Sequence, residues 1–458
     1  MRNINLNNIK GKRVLVVGMG KSGIAAIQAM LKLGADVTVQ DSKRAEDMDS
    51  QLLSFLTGKG LKLCLGKVPD DLSCFDMLIL SPGVDPELAF IQKAKKEGAE
   101  IVGELEIAYR VARGNFVAIT GTNGKTTTTT LVGEIFKNAR RRTYVVGNIG
   151  VAVISKALDT EEGDWLITET SSFQLQTVKY FKPVISAILN ITPDHLNRHH
   201  TMEDYGIAKA NVFMNQDETG YCVINAEDKM CVRLAEKARS QVVLFSSERE
   251  LEKGAFVKDG VLLIADDENT VEICRVDELK IIGKHNVENA LAAAAISYFA
   301  GIAPEIIGET LREFAGVAHR IEYCGMTGGV KFYNDSKGTN IDATVTALNA
   351  IEKNIILIAG GDGKGQDFSE LIKKFDSRVK HMVLIGKDAP KIAEAADKYG
   401  FKDYSYGVNM QECVKKAFET AEYGDTVLLS PACASWDMYD NFEQRGDHFK
   451  ELVARLGN

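Results

Sequence analysis

A chain of 458 residues exceeds what one ordinary core accommodates, and a prior of about 150 residues per domain points to roughly three domains. With 45% apolar and 26% charged residues and only eight prolines, the composition excludes a disordered chain, and a formal net charge of −8 without any Lys/Arg-rich block argues against nucleic acid as a partner. No run approaches the length of about 18 apolar residues that a membrane helix needs, the N-terminal MRNINLNNIKGK has no apolar export core, and the eight cysteines form no C-x-x-C pair. The expectation is a cytoplasmic protein without membrane span, zinc site or disulfide framework.

The first strand, RVLVV at 13–17, runs directly into Gly18-Met19-Gly20-Lys21-Ser22-Gly23, with a helical stretch behind it, a second strand at 37–40 and Asp41 placed 23 residues after Gly18. G-x-G-x-x-G in this context reads as a Rossmann-like nucleotide site or, without a ligand, as a tight strand-to-helix turn. A further strand at 77–80 leads into Ser81-Pro82-Gly83-Val84, and a helix over 87–98 ends at a glycine cap. The first domain is expected to span 1–103.

The second, 104–316, opens on the most informative stretch of the chain, FVAITGTNGKTTTTTL at 116–131. A buried strand, a Gly-rich turn and a helix starting at Lys125 make a phosphate cradle, in which backbone N–H groups and the positive helix end face an anion and the lysine adds a full charge. The strict P-loop pattern wants glycine where Ile119 stands, which leaves room for a plain turn. Five consecutive threonines, poor helix formers, argue for another purpose. The Thr126 hydroxyl, with Glu169 at the end of the strand WLIT, suits the oxygen-loving magnesium of a triphosphate. Strands are predicted at 143–146, 165–168, 184–189, 222–224 and 242–245, residues 252–282 read as a small antiparallel insertion, and helices follow at 285–300 and 304–314. Three of the seven histidines fall in NITPDHLNRHH at 190–200. Zinc spacing is not met, and of the three His195 is the candidate. Lys209, in a helical pattern with Ile207, Ala208, Val212 and Phe213, reads by default as a snorkelling surface lysine. The third domain, 317–458, repeats the α/β rhythm with strands at 330–333, 355–359, 381–385 and 426–429. Polar loops NDSKGTN, GGDGKGQD and SPACASWD follow three of them.

Taken together, TGTNGKTT, ETSSFQLQ, NITPDHLNRH, GKHNVENALAA, AHRIE, NDSKGTN, GGDGKG and SPACASWDMYDNFEQRGDHF, in this order over the whole chain, resemble the Mur ligase family, and the last block with GMGKSG resembles its D-glutamate-adding members. The resemblance implies an α/β protein of three domains: a Rossmann-like N-terminal one, a central P-loop ATPase one and a Rossmann-like C-terminal one. It implies an ATP-dependent, magnesium-dependent amide ligase of peptidoglycan precursor synthesis, joining D-glutamate to UDP-N-acetylmuramoyl-L-alanine and working as a monomer. Carried over residue by residue, Gly121, Asn123, Gly124, Lys125, Thr126 and Thr127 take the ATP phosphates, and Asn286, Asn289, Arg320 and Asp335 the rest of the nucleotide. Thr126, Glu169, His195 and Lys209 hold two metal ions, with Lys209 carboxylated on its Nζ. Lys125, Lys209, His195 and Lys337 serve the chemistry. Gly18, Lys21, Ser22, Asp41, Ser42, Lys43, Ser81, Pro82, Gly83 and Asn148 meet the uridine substrate, and Thr339, Lys364, Ser435 and Phe442 the D-glutamate carboxylates. Asn197 departs from the aspartate of the family pattern. Two rivals stay open on the residues alone: a dehydrogenase built on GMGKSG and Asp41, and a nucleotide switch using the phosphate loop without a ligase reaction.

Overall fold

The computed structural model describes residues 9–351 and 353–456; the side chain of Asn197, and with it the consequence of that departure, lies outside the described residues. Three sheets carry the fold. The first holds β1 (Arg13–Val17), β2 (Asp36–Asp41), β3 (Lys62–Leu65), β4 (Met77–Leu80) and β5 (Glu100–Gly103), all parallel, in the order β3-β2-β1-β4-β5. RVLVV is apolar on both faces because both are covered. Val14 and Val16 join one core with Ala26 and Ile27, whereas Leu15 and Val17 join another with Leu78, Leu80 and Ile91. The chain leaves β1 towards β2 on one side and β4 on the other, so β1 is a topological switch point with the Gly18 loop at its carboxyl end.

The second sheet comprises β6 (Asn115–Thr120), β7 (Thr143–Gly147), β8 (Trp165–Glu169), β9 (Ile185–Ile188), β10 (Tyr221–Asn225), β11 (Gln241–Ser246), β12 (Gly254–Lys258), β13 (Val261–Ala265) and β14 (Thr270–Arg275), ordered β14-β13-β12-β11-β10-β9-β6-β8-β7. Here β6 lies at the switch, between β8 and β9. The stretch 252–282 is antiparallel as expected but is no separate insertion: β12 pairs parallel with β11, and β13 and β14 extend the same sheet. Its apolar side, with Leu262, Ile264 and Ile273 buried, needs a cover. The helix Pro304–Glu313 comes so close that a Cβ on Gly308 would sit 2.1 Å from the Ile273 carbonyl oxygen.

The third sheet holds β15 (Glu322–Thr327), β16 (Val330–Asn334), β17 (Ile355–Gly360), β18 (Val379–Ile385), β19 (Tyr404–Tyr406) and β20 (Thr426–Leu429), ordered β15-β16-β20-β17-β18-β19 and parallel except for the β15–β16 hairpin. Again the central strand feeds two cores: Ile355 and Leu357 one, Ile356 and Ile358 the other. The chain forms two compact units, residues up to Glu278 with Glu288–Arg312, carrying the first two sheets, and Leu279–Val287 with the residues from Glu313 on, carrying the third. Among the described residues no helix is long and apolar enough to cross a membrane.

Candidate active site

The phosphate loop leaves β6 at Thr120 and enters the helix Lys125–Asn138. Gly124, at φ +81°, is left-handed, and a Cβ there would lie 2.3 Å from Asn289 Oδ1, so only glycine fits. Asn190, just beyond β9, holds the loop: its Oδ1 accepts the N–H groups of Thr122 (3.1 Å) and Asn123 (2.8 Å), and its Nδ2 donates to the Asn123 carbonyl at 3.2 Å. Thr126 and Thr127 are buried in the first helical turn, and Thr128 Oγ1 donates to Asn289 Oδ1 at 3.2 Å.

Two lysine side chains converge on one carbonyl. Lys125 Nζ donates to the Gly121 and Thr122 oxygens at 2.9 and 2.8 Å, and Lys209 Nζ to the same Gly121 oxygen at 2.7 Å. Lys209 is 1% exposed, on the helix Met202–Ala210, with its Nζ over the Tyr205 ring at 4.5 Å. The snorkelling reading is therefore overturned. Burial first and Lys125 second drive the Lys209 pKa well below the ordinary lysine value. Register puts Glu169, last residue of β8, beside Ile119 of β6. It is 1% exposed; its Oε1 accepts a hydrogen bond from Asn148 Nδ2 at 2.9 Å, and its Oε2 has no hydrogen-bond partner among the described residues.

The histidines separate. His199 turns inward, bonded to Ser172 Oγ at 2.9 Å and stacked on Phe173, and burial lowers its pKa; His200 is exposed. His195, at φ +53°, is half exposed, its ring 4.9 Å from that of Phe173. Among the described residues no three His, Cys, Asp or Glu side chains are grouped to hold a metal ion. Between His195 and the first sheet stands Arg198, whose Nη2 donates to the Val84 carbonyl at 2.8 Å.

The glycine loop of the first sheet faces a cleft of 580 Å³ lined by Gly18, Lys21, Ser22, Asp41, Ser42, Ser81, Pro82 and Gly83, a size that suits a small-molecule ligand. Lys43 does not line it; its N–H donates to Asp41 Oδ1 at 2.9 Å, while Asp41 Oδ2 accepts the Met19 N–H at 2.7 Å. The Asp41 carboxylate is thus bonded to the loop itself.

In the second unit, Asp335 is buried, accepts the Ser430 hydroxyl at 2.6 Å and is pushed up to about 7 by that burial. Ile321 N–H, next to Arg320, donates to its other oxygen at 3.3 Å, and Asn286 Nδ2 donates to the Ile282 carbonyl at 2.7 Å. Lys337 Nζ lies 5.2 Å above the Phe442 ring, and its carbonyl accepts the Thr339 N–H. Ser435 is buried, and Lys364 Nζ lies 4.4 Å above the Trp436 ring.

The sequence matches three family models in succession: the Mur ligase MurD-like N-terminal domain over residues 12–103, the Mur ligase middle domain over 119–297, and the Mur ligase glutamate ligase domain over 319–433. The UDP-N-acetylmuramoylalanine–D-glutamate ligase of Alkaliphilus oremlandii is 50% identical over 98% of this chain and 99% of its own, and that of Clostridioides difficile 46% identical over 98% and 100%. The chain belongs to the Mur ligase family. Solved structures of a UDP-N-acetylmuramate–alanine ligase, MurC, from Thermotoga maritima (TM-score 0.57, 19% identity, 97% of this chain and 99% of that one) and of MurF from Acinetobacter baumannii (TM-score 0.59, 16%, 99% and 92%) share its fold.

For a Mur ligase the donor set fits a hard cation at the phosphate loop: a buried carboxylate oxygen without a hydrogen-bond partner among the described residues, and a threonine hydroxyl at the helix start. The residue reading missed two groups that hold the machinery in place. Asn190 was visible only as part of the histidine-rich stretch. Arg445, buried, donates to Ser336 Oγ and O at 2.9 and 2.7 Å and to the Cys433 carbonyl at 3.1 Å, tying the NDSKGTN loop to SPACASWD. Arginine in FEQRG looks like an exposed helix charge until the partner loops are known.

Proposed function

We propose that this chain joins the amino group of D-glutamate to the free carboxylate of UDP-N-acetylmuramoyl-L-alanine, converting ATP to ADP and phosphate, in peptidoglycan precursor synthesis. What carries this reading is similarity at 50% identity, over 98% of the chain, to a relative of that name. A carboxylate is a poor electrophile for an amine. Its oxygen therefore attacks the γ-phosphorus of ATP, ADP leaves, and an acyl phosphate forms; the amine, having lost a proton, attacks the carbonyl carbon and phosphate departs. Three domains, 1–103, 104–316 and 317–458, would divide the tasks of holding the uridine substrate, ATP and D-glutamate.

This chain's residues would act mainly by position and charge. Lys125 and the amides after Gly121 would neutralise the phosphates, Asn148 would orient substrate while holding Glu169, and Asp335 and Lys337 would serve the nucleotide and transferring phosphate. Magnesium, held by Thr126, Glu169 and His195, would supply charge neutralisation at the phosphates. Lys209 would join that set as a carbamate. Burial shifts this amine towards its neutral form, which is nucleophilic towards carbon dioxide, forming an N–C bond with loss of one proton, and the product is an anion where an ammonium would oppose a cation. The protein would act as a cytoplasmic monomer.

The deciding experiment is phosphate release from ATP with UDP-N-acetylmuramoyl-L-alanine present, comparing D-glutamate, L-glutamate and a diamino acid. Release is expected with D-glutamate alone; indifference to the amino acid would leave a nucleotide hydrolase instead.

A further inference from the structure

Trp436 is one of only two tryptophans, and the two are opposites. Trp165 is buried edge-on against Phe136 at 5.0 Å, a core residue. Trp436 is 66% exposed, in a loop whose neighbouring residues, Cys433 to Ser435, are buried. An exposed indole contributes little to folding, so its place there needs a local reason. The reason on the page is Lys364.

Lys364 stands at φ +52°, a conformation that lysine rarely adopts, and its N–H is held by Asp362 Oδ1 at 3.0 Å. That turn sends the side chain across to the ring, with Nζ 4.4 Å from the centroid. The two loops are stitched beneath it: Asp362 and Ala434 exchange both backbone hydrogen bonds, at 3.0 and 2.9 Å, and Gln366 Nε2 donates to the Ala432 carbonyl at 3.3 Å. The nearby carboxylates are already engaged. Asp362 pairs with Lys387 at 3.2 Å, Asp388 with Lys391 at 2.7 Å, and Asp437 accepts the Lys387 N–H at 2.9 Å. Among the described residues Lys364 has no ion pair of its own.

We infer that Trp436 is a positioning residue that holds the Lys364 ammonium ready for a carboxylate of the incoming amino acid. The inference rests on the ligase reading above. A flexible four-carbon side chain loses rotamer freedom when it binds an anion, and a ring face that restricts it beforehand removes part of that cost from the binding step. A ring also leaves the ammonium its outward N–H donors, where a protein carboxylate would have to be displaced.

Steady-state kinetics of the full chain at saturating ATP and uridine substrate test this. Trp436→Ala is expected to raise KM for D-glutamate about two- to five-fold, the range of an exposed cation–π contact, with kcat and KM for ATP unchanged. Trp436→Phe, which keeps a ring face, restores most of the loss. Measured as kcat/KM at low D-glutamate, Trp436→Ala adds nothing further when Lys364→Gln is already present. Unchanged KM for D-glutamate, a parallel rise in KM for ATP, or additive losses in the double variant would overturn the inference while the wild type still shows D-glutamate-dependent release. Absence of that release in the wild type removes the ligase reading and this inference with it.

Discussion

Two glycine-rich loops in this chain share a form and differ in sign. Each follows the switch-point strand of a parallel sheet and opens a helix, β1 into Lys21–Lys32 and β6 into Lys125–Asn138. In the first loop a carboxylate, Asp41, takes the N–H of Met19, so that a loop amide is already satisfied by an acid and the cleft is partly negative. In the second, two lysine nitrogens meet at the Gly121 carbonyl, and a buried Glu169 oxygen stands without a hydrogen-bond partner among the described residues. A glycine fingerprint fixes the turn, and the charges brought to it from elsewhere decide the ligand. The dehydrogenase rival loses its footing on the family membership, which accounts for both loops in one chain.

The sharpest way to break the contrast is to remove the lysines that meet at the second loop. Lys125→Ala and Lys209→Ala are each expected to lower the rate of phosphate release by about 10²–10³ or more, the range found when one well-aimed group at a developing charge is lost. Lys209→Ala should also keep or raise the melting temperature, because it removes a desolvated amine rather than a packed apolar group. Rates near wild type would reduce the convergence on Gly121 to packing. A smaller effect is expected at the first loop. Asp41→Asn weakens the acceptors of Met19 and Lys43, and should raise KM for the uridine substrate about tenfold, a fair return for loops held by charge-assisted hydrogen bonds, while KM for ATP stays put. A change in KM for ATP instead would mean that the two loops do not divide the substrates.

What was legible beforehand was local. Strands buried on both faces, such as RVLVV and IILIA, and the Gly124–Lys125 turn announce themselves through short-range pattern. Half-buried edge strands do not: KLCL in β3 lacks both alternation and a run, and β15 is carried by its hairpin partner. The default reading of Lys209 as a snorkelling lysine fails because its helix carries Glu203 and Asp204, a surface-like composition, while its burial is imposed by the phosphate loop across 88 residues. Asn190 was overlooked for the same reason, since its partners Thr122 and Asn123 lie 68 and 67 residues away. Asp41 fits the spacing after Gly18 and lines the cleft, and the spacing alone does not announce its bonds to the loop's own amides.

The contrast extends to the acids that brace each loop, and the smallest expected effect lies there. Asp41 braces the first from a cleft open to solvent. On the side of the second stands Glu104, buried, its Oε1 accepting the Ile154 N–H at 2.5 Å and its Oε2 without a partner among the described residues. Ile154 begins the short helix after the Asn148 loop, so Glu104 anchors the segment whose Asn148 reaches Glu169. Desolvation pushes Glu104 up to about 7 from an ordinary 4.5. The native state then holds a proton on Glu104 between those values that the unfolded chain has released, and stability falls as pH rises through the window. Glutamine copies the protonated acid and does not titrate. Glu104→Gln is therefore expected to match the wild type near pH 4.5 and to exceed it increasingly up to pH 7, by a few degrees in melting temperature, with no further gain above. A parallel pair of melting curves over that range would place the titrating acid elsewhere and return Glu104 to a plain anchor of Ile154.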